Sequence, residues 1–404
     1  MGGRHLLGEV QLKLWIENAY TSLSAPDGGT RGDVVRTLQT EEQFFAILAS
    51  SPGGDVKGRA RAESIVDSAA AMLVQPALQA VSLDAVVESV LGVLPSGEHA
   101  PFAILQVLGG SQAYVVECDA PPLFLIRGGE LVLLPVLEDI SHGRLMRTCQ
   151  FPLQDGDHLA MVSEGYIRAR GWSRRWGWRD IAVSTRRWTD TGCDAEQLLG
   201  ALIRMVHRLA GEETPPGAGD ISVVAMHVRP MRTVTIWTGP PADPAQDEVA
   251  LHGLMAEPGT RVICGDTTAQ VAARLLGSEL ELESRPEDGA DRTHPWAEVP
   301  PVSRLAGVDL VTEGLVTLRK ARKRLEGVQH VRELPRVEDG ATRLARALLK
   351  ADRIHFVVGL AVNPGFGTAV DAGGVRPVSL RRMVVEELIC DLKAQGRLVS
   401  VEYL

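Results

Sequence analysis

LQDGDHLAMVSEG, residues 153–165, joins a turn, a short apolar run and a carboxylate that is followed directly by glycine. The turn Asp155-Gly156-Asp157 and the run Leu159–Val162 predict a buried strand that ends at Ser163. A carboxylate at the end of a sheet strand, beside a glycine that lets the chain turn sharply, can present oxygen to a hard cation. The competing interpretation is that Glu164-Gly165 is an ordinary turn.

Acidic residues also mark other predicted strand edges in the first half of the chain. Gly32-Asp33 precedes the first strands, Ser50–Asp55 follows the apolar run FFAIL, and Gly219-Asp220 precedes ISVVAMHV. These edges could meet at a metal-binding cleft, because divalent cations such as Mg²⁺ prefer carboxylate oxygens. The alternative is that Asp33, Glu164 and Asp220 are turn and capping residues.

The first half predicts an antiparallel sheet with a helical insert. Helical spacing over 57–94, interrupted at Pro76, predicts two helices, with Ser82 as the N-cap of the second. Glycine turns between short apolar runs predict hairpins, and the turn at 155–157 is expected to form one of them. The predicted strands are QFFAILAS (43–50), FAILQVL (102–108), QAYVVEC (112–118), LFLIR (123–127), LVLLP (131–135), RTCQFPL (147–153), HLAMVS (158–163) and ISVVAMHV (221–228), with a helix over 195–211.

Beyond Arg229-Pro230 strands and helices alternate, which predicts a mostly parallel α/β sheet. The strands are TVTIWTG (233–239), RVICG (261–265), GVDLVTEG (307–314), RIHFVVG (353–359) and RLVSVEYL (397–404), and the helices cover 247–256, 266–277, 315–326 and 379–396. We therefore expect two domains. An α+β antiparallel sandwich flanked by helices covers 1–230, and a smaller α/β domain of unknown role covers 231–404.

Composition excludes several classes of protein. The 404 residues are 45% hydrophobic and 23% charged, which is typical of a globular protein, and the net charge is −9. An acidic chain has no basic field to attract phosphates, so we expect no nucleic-acid partner. No signal-peptide pattern follows Met1, and no apolar run approaches the roughly 20 residues that a membrane span requires. We expect a cytoplasmic protein without membrane contacts.

The order of motifs resembles one family. CDAPPLFLIRGGEL (118–131), LQDGDHLAMVSEG (153–165) and AGDISVVAM (218–226) follow the order found in the metal-dependent protein serine/threonine phosphatases of the sporulation stage II protein E type. These proteins are a branch of the PPM phosphatases, and the resemblance covers residues 20–229. TGPP (238–241), CGDTTA (264–269) and DLVTEG (309–314) resemble a second domain that some members carry.

The resemblance implies a PPM-phosphatase-like fold of two antiparallel sheets and a role in bacterial signalling. It also implies one or two Mn²⁺ or Mg²⁺ ions, which activate a water for attack on phosphoserine or phosphothreonine of a regulatory phosphoprotein. No side chain acts as the nucleophile in this scheme. The metal ligands that it suggests here are Asp33, Glu164 and Asp220, with Asp55 as a substitute ligand.

The sequence departs from the family pattern at the ligands. Ser50 and Gly219 stand where the resemblance requires aspartate, and Glu164 replaces a third aspartate. Two dications lying close together need several anionic ligands to offset their repulsion. Two hypotheses follow. The chain is either a weakened protein phosphatase, or an inactive pseudophosphatase that acts as a binding or signalling module for a phosphoprotein or regulatory protein.

Two further segments could contact ligands or partners. Gly265, Asp266, Thr267 and Thr268 begin a predicted helix, where backbone N–H groups can hold an anion. The alternative is that Asp266 caps this helix without any ligand. The Trp- and Arg-rich segment 168–180 predicts either an exposed docking surface for a phosphoprotein or a flap packed on the first domain.

Overall fold

The computed structural model divides the chain into two compact units, Met1–Pro230 and Met231–Leu404. It describes residues 13–23, 32–51, 56–74, 82–94, 100–168, 178–189, 192–210, 220–256, 258–283, 299–361 and 380–404.

Two antiparallel sheets form the first unit. One sheet has the strand order β1-β11-β10-β6-β7 and the other β2-β3-β4-β5-β9-β8. The strands are β1 (Leu14–Leu23), β2 (Val34–Gln39), β3 (Gln43–Ala49), β4 (Phe102–Leu108), β5 (Gln112–Cys118), β6 (Phe124–Arg127), β7 (Glu130–Leu131), β8 (Leu137–Ser141), β9 (Arg144–Pro152), β10 (His158–Val162) and β11 (Ile221–Pro230).

The inner faces of these sheets pack on each other, and helices cover the outer faces. Phe44, Leu105, Met161 and Met226 belong to the core between the sheets, because alternate side chains of each strand point to opposite faces. The helices α1 (Val56–Val74) and α2 (Leu83–Val93) cover the β2–β9 sheet, whereas α4 (Trp178–Thr189) and α5 (Ala195–Ala210) cover the other. A short helix, α3 (Glu164–Arg168), follows β10. The predicted fold class, α+β with an antiparallel sandwich flanked by helices, is confirmed.

The local predictions for this unit differ from the structure in three places. The segments before and after the 155–157 turn do not form a hairpin, because β9 pairs with β5 and β8 while β10 belongs to the opposite sheet. The predicted strand 131–135 shrinks to Glu130–Leu131, and β8 pairs with β9 instead. The elements β1, β2, β8, α3 and α4 were not predicted, although β1 pairs with β11 along its whole length.

In its described ranges, the second unit is a seven-stranded sheet between two layers of helices. Its order is β14-β15-β16-β13-β12-β17-β18, and the pairs β14–β15 and β15–β16 are antiparallel. The strands are β12 (Thr233–Thr238), β13 (Thr260–Cys264), β14 (Glu281–Leu282), β15 (Ser303–Leu305), β16 (Val308–Thr312), β17 (Arg353–Val358) and β18 (Leu398–Tyr403). The predicted mostly parallel sheet is therefore confirmed.

Among the residues that the structure describes, this unit has five α-helices, which divide between the faces of the sheet. They are α6 (Asp247–Met255), α7 (Asp266–Leu276), α8 (Leu315–Leu325), α9 (Gly340–Lys350) and α10 (Leu380–Ala394). One core holds α6 and α7 with Trp237 of β12, and the other holds α8, α9 and α10 with Ile236 of the same strand. Of these helices, only α9 was not predicted. Within the described ranges, no helix has the length and apolar character needed to cross a membrane.

Candidate functional site

The structure brings Asp33 and Asp220 together at the rim between the two sheets of the first unit. Asp33 directly precedes β2 in one sheet, and Asp220 directly precedes β11 in the other. Their side chains are buried, with relative exposures of 5% and 3%. Asp220 Oδ2 accepts hydrogen bonds from the N–H of Gly32 and, at 3.3 Å, from the N–H of Asp33. Two of the predicted site residues therefore share one crevice.

Two serines close the same crevice. Ser163 Oγ donates to the carbonyl of Asp220 over 3.1 Å and accepts the N–H of Ser222 over 2.9 Å. The N–H of Ser163 donates to the carbonyl of Ser222 over 2.9 Å, so the end of β10 is joined to the start of β11. The role of Ser163 in the opening motif is thus to hold two strand ends together beside the carboxylates.

The Asp33 carboxyl lies among neutral hydrogen-bond donors. Its Oδ1 accepts the N–H of Ser51 over 3.4 Å, and its buried Oδ2 has no hydrogen-bond partner among the described residues. The hydroxyls of Ser222 and Ser163 lie close to this carboxyl group. Burial raises the pKa of Asp33 to about 6, and the neighbouring Asp220 carboxylate adds to this rise. The two serine hydroxyls oppose it but do not cancel it.

The structure shows what Glu164 does at the end of the motif LQDGDHLAMVSEG. It is the first residue of α3, where a negative charge is favoured by the partial positive charge of the helix start. The glycine that follows is buried inside the same short helix. Glu164 therefore begins a helix directly after β10 and is half-buried there.

The predicted ligand set is gathered only in part. Among the residues that the structure describes, no group of three or more His, Cys, Asp or Glu side chains is placed to hold a metal ion. Ser50 is buried, and its N–H donates to the carbonyl of Pro101 over 2.8 Å. Asp55 and Gly219 lie outside the described residues. Two carboxylates with two hydroxyls supply too little negative charge for a pair of dications, so the described residues do not fit a two-ion centre.

The predicted anion-binding segment of the second unit lies at the start of α7. The N-cap is Gly265, with φ of 140°, rather than Asp266, and it has no side-chain capping bond. The N–H groups of Gly265 and Asp266 donate to the carbonyls of Thr312 (2.8 Å) and Glu313 (3.1 Å) at the end of β16. Asp266 and Thr267 are exposed, whereas Thr268 is buried.

Negative charge surrounds this helix start. Burial raises the pKa of Glu313, and the nearby Asp266 carboxylate raises it further. Burial also raises the pKa of Asp266. The carboxylates of Asp266 and Glu313 would repel an anion here, and the N–H groups of Gly265 and Asp266 already have acceptors. These observations disfavour anion binding at residues 265–268, which stays a prediction.

Sequence reasoning missed three residues that the structure places at or beside strand ends. Ser163 and Ser222 lie beside predicted ligands, but a serine after a strand carries no specific signal. Arg381, which lies over the strand ends of the second unit, has no motif at all, and only the strand order identifies its position. Of the Trp-rich segment, Trp172, Trp176 and the side chain of Trp178 lie outside the described residues.

No protein-family model matches the chain, and no curated protein matches it in sequence. Solved structures to which it is similar include the RsbU and RsbW domains of a Mycobacterium tuberculosis protein, with 15% identity, 60% of this chain and 69% of that chain covered, and a TM-score of 0.45. The phosphatase domain of SpoIIE from Bacillus subtilis is similar at 11% identity over 54% of this chain and 94% of that chain, with a TM-score of 0.41.

A further similar structure is the catalytic domain of the serine/threonine phosphatase PstP, which was solved with two manganese ions. It has 14% identity, covers 54% of this chain and 99% of that chain, and has a TM-score of 0.39.

Proposed function

We propose that the first unit is a phosphatase-type scaffold that acts as a catalytically silent binding or signalling module for a phosphoprotein or regulatory protein. The order of the motifs over residues 20–229 supports the phosphatase-type origin. One observation supports the absence of catalysis, namely that the carboxylate of Asp220 accepts hydrogen bonds from the backbone N–H groups of Gly32 and Asp33.

This hydrogen bonding gives Asp220 a structural role. The start of β2 and the start of β11 lie in opposite sheets, and the Asp220 carboxylate joins them through two backbone donors. Hydrogen bonds to a charged acceptor contribute about 1.5–3 kcal/mol each. An oxygen that is held in this way by main-chain donors offers fewer lone pairs to a cation.

The environment of Asp33 points in the same direction. Its near neighbours are the Ser51 N–H and the hydroxyls of Ser163 and Ser222, in addition to the Asp220 carboxylate. Hydrolysis by a metal-activated water depends on anionic ligands that fix the ion, and neutral hydroxyls are weak replacements. The crevice keeps its shape through these contacts, which suits recognition rather than turnover.

The second candidate is a weakened protein serine/threonine phosphatase with a single Mn²⁺ or Mg²⁺. The observation that favours it is the close placement of two buried carboxylates, because a cation between them would relieve their mutual repulsion. Asp33 and Asp220 would hold the ion, with Glu164 and Asp55 as the further ligands that the resemblance suggests. The bound ion would supply an activated water.

The two candidates differ in turnover. The full chain is assayed with p-nitrophenyl phosphate over a Mn²⁺ series, beside Asp33→Asn and the control Asp155→Asn, whose carboxylate lies in an exposed turn. The silent module predicts no turnover above the protein-free rate at any Mn²⁺ concentration. Mn²⁺-dependent turnover that disappears in Asp33→Asn and persists in Asp155→Asn would establish the phosphatase instead.

Calorimetry with Mn²⁺ supplies the second readout. The silent module predicts that the wild-type chain, Asp33→Asn and Asp155→Asn give the same heats on titration. Saturable binding to the wild type and Asp155→Asn, with loss in Asp33→Asn, would support a retained cation site even where turnover is too slow to measure.

A further inference from the structure

In the second unit, the neighbouring strands β12 and β17 are followed by helices on opposite faces of the sheet. In the parallel part of the sheet, β16-β13-β12-β17-β18, the strand β12 comes first in the chain and lies beside β17, the fourth of these five strands in chain order. The helix after β12 is α6, on one face, and the helix after β17 is α10, on the other. Open α/β sheets bind ligands in the crevice outside the carboxyl ends of such a strand pair.

The floor of this crevice consists of main-chain atoms. The strand ends stay paired beyond the sheet, since the N–H of Gly359 donates to the carbonyl of Thr238 over 3.0 Å and that of Ala361 donates to Pro240 over 3.1 Å. A Cβ at Gly359 would collide with the carbonyl of Pro240. The backbones therefore approach closely only because residue 359 has no side chain.

Arg381, in the first turn of α10, lies directly over this floor. Its Nη1 donates to the carbonyl of Gly359 over 3.1 Å. Gly239 has φ of 81°, and a Cβ there would collide with the same guanidinium group. The positive charge of Arg381 is thereby held between the ends of β12 and β17, beside the start of a 15-residue helix whose first turn carries no acidic residue.

This charge is poorly compensated within the unit. Arg381 is half-buried, burial lowers its pKa, and no carboxylate of the described ranges forms an ion pair with it. Its neighbour Arg382 differs, since it pairs with Glu386 over 2.7 Å and lies over the ring of Tyr403. A guanidinium group has five N–H donors in a planar fork that matches an oxyanion, and a single carbonyl uses only part of this capacity.

We propose that the second unit binds a phosphate-bearing small molecule at the crevice between the ends of β12 and β17, with Arg381 as the residue that anchors the phosphate. The N-terminus of α10 adds partial positive charge at the same place. The glycines at 239 and 359 keep side chains away from the floor, so that the anion can approach the main chain. This site is separate from the carboxylate crevice and does not depend on the function proposed for the first unit.

The test measures binding of inorganic phosphate, AMP and ATP to the full chain by calorimetry and by thermal shift, with citrate as a carboxylate probe. Arg381→Met removes the anchoring charge, and Arg382→Met is the matched control that removes one charge from the same helical turn. We expect saturable binding of at least one phosphate compound. The Kd should rise about tenfold or more in Arg381→Met and stay near the wild-type value in Arg382→Met.

A second variant, Arg381→Gln, distinguishes a loss of binding from a loss of folding. Arg381→Gln keeps polar atoms at this position without the charge and should show the same loss, while circular dichroism matches the wild type. The proposal is overturned if no phosphate compound binds to the wild type, if citrate binds and phosphate compounds do not, or if the variants at 381 and 382 weaken binding equally.

Discussion

The carboxylate crevice of the first unit and the arginine crevice of the second treat buried charge differently. Asp220 distributes its charge over two backbone N–H groups that directly precede β2, a strand of the opposite sheet. Arg381 donates to one carbonyl and is half-buried. The difference teaches that an antiparallel sandwich can satisfy a charge with its own main chain. In the parallel sheet of the second unit, by contrast, α10 follows β17 and places the charge of Arg381 at the strand ends, where we propose that a ligand binds.

Arg127→Met measures the cost of leaving a buried charge without its partner. It should lower the free energy of unfolding more than any other substitution in this series. Asp157 is fully buried and accepts both Nε (2.8 Å) and Nη2 (2.7 Å) of Arg127. Removal of the arginine leaves a buried carboxylate without its cation, which should lower the free energy of unfolding by about 3–5 kcal/mol. The exposed pair of Arg36 and Asp67 is the control, and Arg36→Met should lower the free energy of unfolding by about 0–1 kcal/mol. Urea unfolding followed by circular dichroism measures both values, and equal effects would contradict the prediction.

Asp220→Ala tests whether the main chain satisfies the first crevice. The substitution leaves the N–H groups of Gly32 and Asp33 without their acceptor, and each such loss in a buried position is worth about 1–3 kcal/mol. We expect a decrease of about 2–4 kcal/mol in the free energy of unfolding. Asp220→Asn keeps one acceptor oxygen and should lower it by less than Asp220→Ala does. An unchanged urea midpoint in Asp220→Ala would show that this carboxylate does not join the sheets.

Gly239→Ala tests the floor of the second crevice. The new Cβ would occupy the place of the Arg381 guanidinium, in a backbone conformation that L residues rarely adopt. We expect a loss of about 2–3 kcal/mol from the free energy of unfolding, since strain and overpacking both contribute. Gly396→Ala is the matched control, because Gly396 has nearly the same φ (79°) but open space around its Cα, and its loss should be about 1 kcal/mol. A loss in Gly239→Ala no greater than this would refute the close contact with Arg381.

Glu313→Gln tests whether negative charge is unfavourable at the start of α7, and its effect should be the smallest. The folded state raises the pKa of Glu313, so the folded chain binds this proton more tightly than the unfolded chain does. Stability is therefore lost as pH rises through the interval above the ordinary glutamate pKa. Glu313→Gln should remove part of this decline. Thermal unfolding at several pH values between 4 and 8 measures the slope, and a steeper decline in the variant would contradict the assignment.

The sequence predicted most of the framework because its periodic patterns are strong. Apolar runs with glycine turns predicted β4, β5, β6 and β10, and the alternation of strand and helix predicted the second sheet. The hairpin at 155–157 was wrong for a long-range reason. β9 pairs with β5 and β8, whereas β10 pairs with β6 and β11, so the turn crosses between the sheets rather than reversing within one.

The sites were less accessible to sequence reasoning. The closeness of Asp33 and Asp220 was expected from acidic residues at strand edges, and the structure brings that pair together. Their ligand roles stay predictions, as do those of Glu164 and Asp55. Arg381 could not be found in this way, because its importance depends on which strands are neighbours, and a local pattern of residues does not encode that order.

The paired strand ends beneath Arg381 have a consequence for selectivity. Since main-chain atoms form the floor, the substitution of nearby side chains changes its shape very little. Discrimination between one phosphate compound and another then falls to groups above the floor that touch the remainder of the molecule. The glycines at 239 and 359 and the guanidinium of Arg381 would then recognise the phosphate alone, whatever molecule carries it.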